Sequence, residues 1–227
     1  MLKPKRFPLA ALTSSVALAA TLFSGHARAE GPYLLDSVSR ETPVRGPARC
    51  PELDRKDYGG TQIRYHAPIS AHPAFIERLK GFEALTRAVA IEVYGRAPSG
   101  LHHLGGFNCR RISGYPNLVS EHGLGNAIDV DSFRFGPLPK GAVLPSGLPT
   151  ALRGAFEVSI ANHFSAKGAL GAVHRRFLHR LALRLGADQN LFRVVLGPGY
   201  VGHDDHFHLD VAPYRLVVVN ALADVAR

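Results

Sequence analysis

Residues 120–129 read Ser-Glu-His-Gly-Leu-Gly-Asn-Ala-Ile-Asp, and residues 203–210 read His-Asp-Asp-His-Phe-His-Leu-Asp. The first segment carries an imidazole and a carboxylate, with glycines between them. The second carries two imidazoles at positions i and i+2, flanked by carboxylates. Two histidines and one aspartate from separate segments can bind a zinc ion and leave its fourth position open, as a hydrolytic site requires. Together the two segments predict a zinc hydrolase.

The alternation of polar and apolar residues in the second segment indicates a strand. If residues 205–211 are extended, the polar side chains share one face, because successive side chains of a strand point to opposite sides. These polar residues are His206, His208 and Asp210. The apolar residues between them can then enter the core, which leaves both imidazoles facing a cleft.

Residues 127–135 alternate in the same manner and place Asp129 on the polar face of another strand. Gly123 and Gly125 lie between His122 and this strand. We expect both glycines to let the backbone turn tightly there, which could bring His122 and Asp129 to one ion.

Hydrophobic periodicity predicts the other elements. Amphipathic helices are expected over 73–94 and 169–185. Residues 136–166, which are rich in proline and glycine, are expected to form a long surface excursion. Further strands are expected over 104–112, 156–160 and 192–196. Helices on a small antiparallel sheet make the fold class α+β.

The amino terminus has the pattern of a signal peptide. A short basic region precedes an uncharged apolar run, and Ala27-Arg-Ala29 gives the small-x-small pattern of a cleavage site, which predicts a signal peptide over 1–29. A retained membrane anchor is the alternative, since the uncharged run approaches the length of a spanning helix. Its Ser, Thr and Pro content favours cleavage. We therefore expect a periplasmic or secreted protein with no stable membrane insertion after cleavage.

Composition divides the remaining chain into two parts. Residues 30–70 are rich in Pro, Gly, Arg and Asp and predict an irregular lead-in, whereas 71–227 are expected to form the catalytic domain. The formal net charge of the whole chain is +9. Its basic residues are scattered rather than clustered, which argues against nucleic-acid binding and suits an anionic cell-wall surface.

Two cysteines, Cys50 and Cys109, are present. In an exported protein an even pair favours a disulfide, which would close a long loop and contribute ~4 kcal/mol. A pair of unconnected buried thiols is the alternative.

The first segment resembles a known signature. Residues 120–129 match the Ser-x-His-x-x-Gly-x-Ala-x-Asp pattern of the LAS metallopeptidases, which include lysostaphin-type enzymes, D-Ala-D-Ala peptidases and the hedgehog signalling domain. A closer resemblance, from about Cys50 to Tyr214, is to the bacterial extensin-like C-terminal domain family. The segments that carry it are 108–111, 120–122, 126–129, 195–200 and 205–210.

The resemblance implies that His122, Asp129 and His208 bind zinc (Zn²⁺). It also implies a hedgehog/D,D-peptidase-like arrangement of the α+β fold. No His-Glu-x-x-His and no Gly-x-Ser-x-Gly occurs in the chain, so neither the helix-borne metalloprotease pattern nor the serine nucleophile elbow applies.

Two residues are candidates for the general base. Some relatives carry an acidic residue three positions before the last ligand, which here is Asp205. Others have a His-x-His, which here gives His206, and the spacing of His203, His206 and His208 resembles this group. Strand parity puts His206 on the face of the ligand and Asp205 on the other, which favours His206. His203 is expected to support the site.

Other polar residues are assigned supporting roles. The resemblance implies that an arginine, Arg110 or Arg111, stabilises the oxyanion or binds a substrate carboxylate. Ser120 is expected to hydrogen-bond near the ligands, and Asp210 or Asp131 to orient a ligand imidazole. The remaining histidines show no recognisable pattern and are expected to be surface or packing residues; those considered are His102, His103, His163, His174 and His179.

These observations predict an exported zinc peptidase that cuts amide bonds of peptidoglycan stem peptides or cross-links, as a D,D-endopeptidase or a carboxypeptidase. The alternative is a non-catalytic zinc module, as in hedgehog, that binds the cell wall or a protein partner. A metal-dependent nuclease is disfavoured, because the chain lacks a basic stripe with interleaved aromatic residues.

Overall fold

The computed structural model describes residues 32–221. The signal peptide expected over 1–29 lies outside the described residues. None of the helices within 32–221 is long and apolar enough to cross a membrane.

The described residues form three α-helices: α1 (Pro73–Tyr94), α2 (Ile160–His163) and α3 (Gly168–Ala187). They also form eleven strands: β1 (Lys56–Tyr58), β2 (Arg64–Tyr65), β3 (Ile69–Ala71), β4 (Gly100–Gly105), β5 (Arg111–Ile112), β6 (Tyr115–Val119), β7 (Ala127–Phe135), β8 (Phe156–Ser159), β9 (Val194–Leu196), β10 (Phe207–Asp210) and β11 (Leu216–Val218).

Helix α1 has the bounds that the sequence predicts. Its N-cap is His72, whose Nδ1 accepts the backbone N–H of Ala74 at 3.1 Å, and Pro73 occupies the first turn. Proline is well tolerated there because its missing N–H would have no helical partner. The helix ends at Gly95, which adopts a left-handed conformation with φ 70°. Local capping and the apolar stripe therefore determine this element.

Seven strands form the main sheet, in the order β11-β9-β10-β7-β4-β2, with β8 also paired to β7. The internal pairs are antiparallel, as expected, whereas the edge pairs β9–β11 and β2–β4 are parallel. Parallel neighbours need a crossover connection, and α1 supplies it between β2 and β4. The α+β class is confirmed, and the expected antiparallel sheet is corrected at its two edges.

The hydrophobic core lies between the sheet and the long helices. Strand β7 contributes Ile128 and Val130 to it, while Asp129 between them is only partly buried. Large side chains from both helices fill the rest, among them Phe75, Leu79, Phe82, Phe177 and Leu181. The core thus holds one face of β7 rigidly and leaves its polar face for a site.

The described part of the expected lead-in is mostly irregular, but it carries β1, β2 and β3. Its side chains Leu35, Tyr58 and Tyr65 are buried in the same core as the helices. A disulfide joins Cys50 to Cys109 with their Cα atoms 5.8 Å apart, which confirms the predicted bridge.

The prediction of a strand over 104–112 is wrong. Strand β4 ends at Gly105, the following residues are irregular, and β5 begins a separate hairpin with β6. Cys109 lies between β4 and β5 and is bonded to Cys50. The disulfide therefore holds this segment to the lead-in rather than to the sheet.

The other predicted elements are found, several with shorter bounds. Strand β7 and helix α3 match their predicted ranges closely, and β8 and β9 lie within theirs. Strand β10 begins only at Phe207, so that His206 precedes the strand.

Candidate metal centre

Two neighbouring strands and one turn bring three predicted ligands together. Asp129 on β7 lies directly opposite His208 on β10, and a 3₁₀ turn over Glu121–Leu124 carries His122. The Nδ1 atom of His208 is 2.8 Å from Oδ1 of Asp129. The Nε2 atom of His122 is 3.2 Å from Oδ2 of Asp129 and 3.2 Å from Nδ1 of His208. The arrangement is that of a three-ligand metal site.

Ser120 and Gly125 shape the turn that carries His122. The hydroxyl of Ser120 accepts the backbone N–H of His122 at 3.4 Å and so caps the turn. Ser120 therefore supports the ligand through its backbone rather than through its ring. Gly125 closes the turn in a left-handed conformation with φ 66°.

Gly123 has a different role from the predicted one. Its φ is not positive, and a Cβ atom at this position would lie 2.5 Å from Sγ of Cys50. The residue is small because the disulfide packs against it, not because the turn needs its conformational freedom.

The outward ring nitrogens of both ligand histidines are occupied by acceptors. Nδ1 of His122 donates to the carbonyl of Gly106, and Nε2 of His208 donates to Oδ2 of Asp210 at 2.8 Å. Asp210 thus orients a ligand imidazole. Because a neutral imidazole carries one N–H, the inward nitrogens hold lone pairs whenever the two rings are neutral.

Three electron-pair donors therefore face one another at separations of 2.8 to 3.2 Å. Two lone pairs and an ionised carboxylate repel at this distance unless a positive charge, either a proton or a metal ion, lies between them. Ligand atoms of a tetrahedral zinc ion, at 2.0–2.1 Å from the metal, are about 3.3 Å apart. The donor set therefore fits a metal ion, and its spacing is close to that around tetrahedral zinc.

The pKa values of the ligands agree with a site for positive charge. Burial lowers the pKa of His208, but the carboxylates of Asp129 and Asp210 outweigh it and raise the value to about 9. Burial raises the pKa of Asp129, but hydrogen bonds from His122 and His208 hold it well below its usual range. Each shift reflects stabilisation of a cation between these groups.

His206 faces this centre and Asp205 lies behind it. Nε2 of His206 is 3.8 Å from Oδ1 of Asp129, and its side chain is 12% exposed. Its Nδ1 is 2.7 Å from Oδ1 of Asp205, whose side chain is 64% exposed. The hydrogen bond from His206 lowers the pKa of Asp205. Asp205 therefore contacts the outer side of the imidazole, away from the ligands.

His203 packs beside the two imidazoles. Its ring centroid is 4.7 Å from that of His206 and 5.8 Å from that of His208. Its Nδ1 is hydrogen-bonded to the carbonyl of Val201 at 3.1 Å, and burial lowers its pKa. His203 supports the centre by ring packing rather than by a hydrogen bond to a ligand.

Arg111 is hydrogen-bonded away from the metal centre. Its guanidinium donates to the carbonyls of Pro116, Pro43 and Gly46 at 2.6 to 2.8 Å, and it ties the β5–β6 hairpin to the lead-in. Those hydrogen bonds use Nε and Nη2 of the guanidinium, and the predicted role of Arg111 stays a prediction. Arg110 is exposed, and its predicted role stays a prediction.

Asp131 orients a histidine other than a ligand. Its Oδ1 accepts from Nδ1 of His102 at 2.7 Å, and the ring of His102 stacks on His66 with centroids 3.7 Å apart. No spacing in the sequence predicts this arrangement, because Asp131, His102 and His66 lie on separate segments. Other histidines are buried and packed in the interior, namely His103, His174 and His179.

A buried polar network braces the turn that carries His122. Arg40 donates through Nε and Nη2 to both carboxylate oxygens of Glu121, at 2.8 and 3.1 Å. Asn126 donates to the same carboxylate and accepts from the hydroxyl of Tyr33 at 2.6 Å. The network joins the lead-in to both ends of the turn.

We expect Glu121→Gln to lower the free energy of unfolding by about 3 kcal/mol, because it leaves the Arg40 side chain, which is only 11% exposed, without its counter-ion. Urea unfolding of the metal-free protein measures this. Glu157→Gln is the matched control, since it breaks the exposed pair with Arg134 and should cost under ~1 kcal/mol. Equal effects of the two substitutions would contradict the proposed bracing.

Comparisons with known proteins bear on the segment 120–129, which carries His122 and Asp129. Residues 39–145 match the family model described as Extensin-like protein C-terminus. The match covers just under half of the chain; it includes His122 and Asp129 and ends before His208. Searches of curated proteins and of solved structures found no match. The family match supports the extensin-like part of the resemblance.

Proposed function

We propose that this protein is an exported zinc-dependent peptidase that hydrolyses amide bonds of peptidoglycan stem peptides or cross-links. The observation that carries the proposal is the convergence of His122, Asp129 and His208. Their inward atoms lie at zinc-ligand spacing, and the outward nitrogens of both imidazoles are held by fixed acceptors.

The chemistry of the site follows from these side chains. A zinc ion held there would polarise a substrate carbonyl and make water more acidic. His206 directs Nε2 towards the same place, and Asp205 accepts from its Nδ1, which leaves a lone pair on Nε2 in the neutral ring. His206 takes a proton from the attacking water at Nε2 and passes it to the nitrogen of the leaving amine.

The substrate and the compartment have separate support. Peptidoglycan is favoured by the resemblance to the LAS peptidases, for which a hedgehog/D,D-peptidase-like arrangement stays a prediction. Export is favoured by the predicted signal peptide and by the disulfide, which persists in oxidising compartments.

The direct test is digestion of purified peptidoglycan by the zinc-loaded protein, followed by mass spectrometry of the products. We expect release of stem-peptide fragments whose masses identify the broken bond. Metal-free protein should release none, and added zinc should restore cleavage. Cleavage at equal rates with and without metal would contradict the proposal.

A non-catalytic zinc module is the second candidate. The observation that favours it is the engagement of Arg111 with three backbone carbonyls, which leaves fewer of its N–H groups for an oxyanion. This candidate predicts stoichiometric zinc binding and no cleavage of any peptidoglycan bond in the same experiment.

A further inference from the structure

A second group of polar side chains lies beside the metal centre, next to Asp129 on β7. The histidine cluster consists of His66, His102, His103 and Asp131. Asp131 follows Asp129 by two residues on β7, about 7 Å along the strand, and the charges of both carboxylates act on His103. The cluster is therefore about two residues of extended peptide away from the ligands.

Irregular pairing of β4 with β7 creates the cluster. The register shifts between His102 and His103 and again between His103 and Gly105. In a regular strand, the adjacent residues His102 and His103 would point to opposite faces. Here both rings reach His66, at centroid distances of 3.7 and 4.4 Å. Bulges of this kind re-aim side chains and are frequent beside active sites.

Hydrogen bonds fix which ring nitrogens of the cluster carry protons. Nδ1 of His66 accepts the backbone N–H of His103 at 3.4 Å, so that Nε2 of His66 carries the hydrogen. Nδ1 of His102 donates to Asp131, so that Nε2 of His102 has a lone pair in the neutral ring. Burial and the neighbouring imidazoles lower the pKa of His66, which keeps that ring neutral.

Both Nε2 atoms are available to a ligand. Neither forms a hydrogen bond with any residue in the described range, His66 is exposed, and the side chain of His102 is 33% exposed. The stacked rings are 3.7 Å apart and tilted by 21°. The two atoms therefore lie within roughly 6 Å of each other, a separation that the N–H and C=O of one peptide residue can span through hydrogen bonds of about 2.9 Å.

One donor beside one acceptor is suited to a peptide backbone. A residue in an extended chain presents its own N–H and C=O to the same side, as in a paired β-strand. A metal ion suits the cluster less well, because within residues 32–221 only His122, Asp129 and His208 bring three ligand atoms within 4.8 Å of one another.

We propose that His66 and His102 form a subsite for the backbone of an extended peptide substrate. His66 donates from Nε2 to a carbonyl, and His102 accepts at Nε2 from the N–H of the same residue, about two residues from the bond that is cut. Asp131 positions the His102 ring. The inference rests on the proposed peptidase function and assigns the substrate contacts of that site.

The test uses stem peptides in which one backbone amide at a time is replaced by an ester, which removes a single N–H. With the native protein, the ester at one position should raise KM roughly 5- to 10-fold, as the loss of one hydrogen bond does, with little change in kcat. His102→Phe should raise KM for the all-amide peptide to a similar extent and abolish the difference between amide and ester.

His66→Phe keeps an aromatic ring for stacking and removes the donor. It should raise KM while retaining the difference between amide and ester, because His102 remains. His163→Phe is the control outside the cluster and should leave KM unchanged. All three variants should bind zinc as the native protein does. An ester penalty that persists in His102→Phe, or a KM unaffected by both cluster substitutions, would overturn the subsite.

A binding measurement separates this inference from the proposed function. Imidazole ¹⁵N NMR of the zinc-loaded protein, titrated with the all-amide stem peptide, should shift the Nε2 signals of His66 and His102. Shifts without any cleavage would overturn the peptidase and keep the subsite. Cleavage without these shifts would overturn the subsite and keep the peptidase.

Discussion

His208→Ala is expected to remove bound zinc and to lower hydrolysis of peptidoglycan more than about a thousand-fold. His208 supplies one of only three protein ligands in the described range, and its ring also separates Asp129 from Asp210. Without the imidazole, the carboxylates of Asp129 and Asp210 remain in a partly buried site with no cation between them, and they repel each other. Zinc content by elemental analysis and product release from peptidoglycan measure the two effects.

Asp210→Asn provides a graded comparison for this prediction. It keeps the size of the side chain but weakens the acceptor that orients His208, and loss of such a supporting carboxylate typically lowers metal affinity 10- to 100-fold. His208→Ala should therefore lose zinc at concentrations where Asp210→Asn retains it. A full equivalent of tightly bound zinc in His208→Ala would disprove the ligand assignment.

Local patterns explain why part of this fold was predictable. The bounds of α1 follow from a proline in the first turn, a glycine after the last residue and a stripe of apolar residues. Strand β7 follows from the alternation of apolar and acidic residues over 128–131, which also assigned Asp129 to the polar face. These signals act within a few residues, so that tertiary contacts have little opportunity to override them.

The features that sequence reasoning missed depend on distant contacts. Residues 106–110 leave the sheet because a disulfide bonds Cys109 to Cys50, and Arg111 contacts carbonyls of the lead-in rather than the site. The histidine cluster needs two register shifts in the pairing of β4 with β7 that no spacing encodes. Each outcome joins segments that are far apart in sequence, where periodicity carries no information.

Strand parity predicted His206 as the general base, and the structure supports that choice by a different argument. His206 lies before the first residue of β10, so that regular alternation does not by itself set its direction. Its position instead follows from contacts on both ring nitrogens, with Asp205 on Nδ1 and Asp129 near Nε2. The preference for His206 over Asp205 as the base now rests on these two contacts.

His206→Phe is expected to retain zinc and to lower kcat about 10²- to 10⁴-fold, the range found for loss of a general base. Phenylalanine fills the space of the imidazole but cannot take a proton. Asp205→Asn should have a much smaller effect, about 10-fold, because it changes only the partner that sets the tautomer of His206. Steady-state kinetics on a purified stem peptide, with zinc content measured for each variant, gives both values.

The double variant with both His206→Phe and Asp205→Asn decides whether His206 or Asp205 is the general base. If Asp205 acts only through the imidazole, removing it from a protein that already lacks His206 should change nothing further, since residues that work as a unit are non-additive. If Asp205 is itself the base, Asp205→Asn alone should cause the larger loss, and His206→Phe should leave most of the activity. The 64% exposure of the Asp205 side chain and the interposed imidazole ring favour the first outcome, because a proton acceptor on the far side of a ring reaches water at the centre only through that ring.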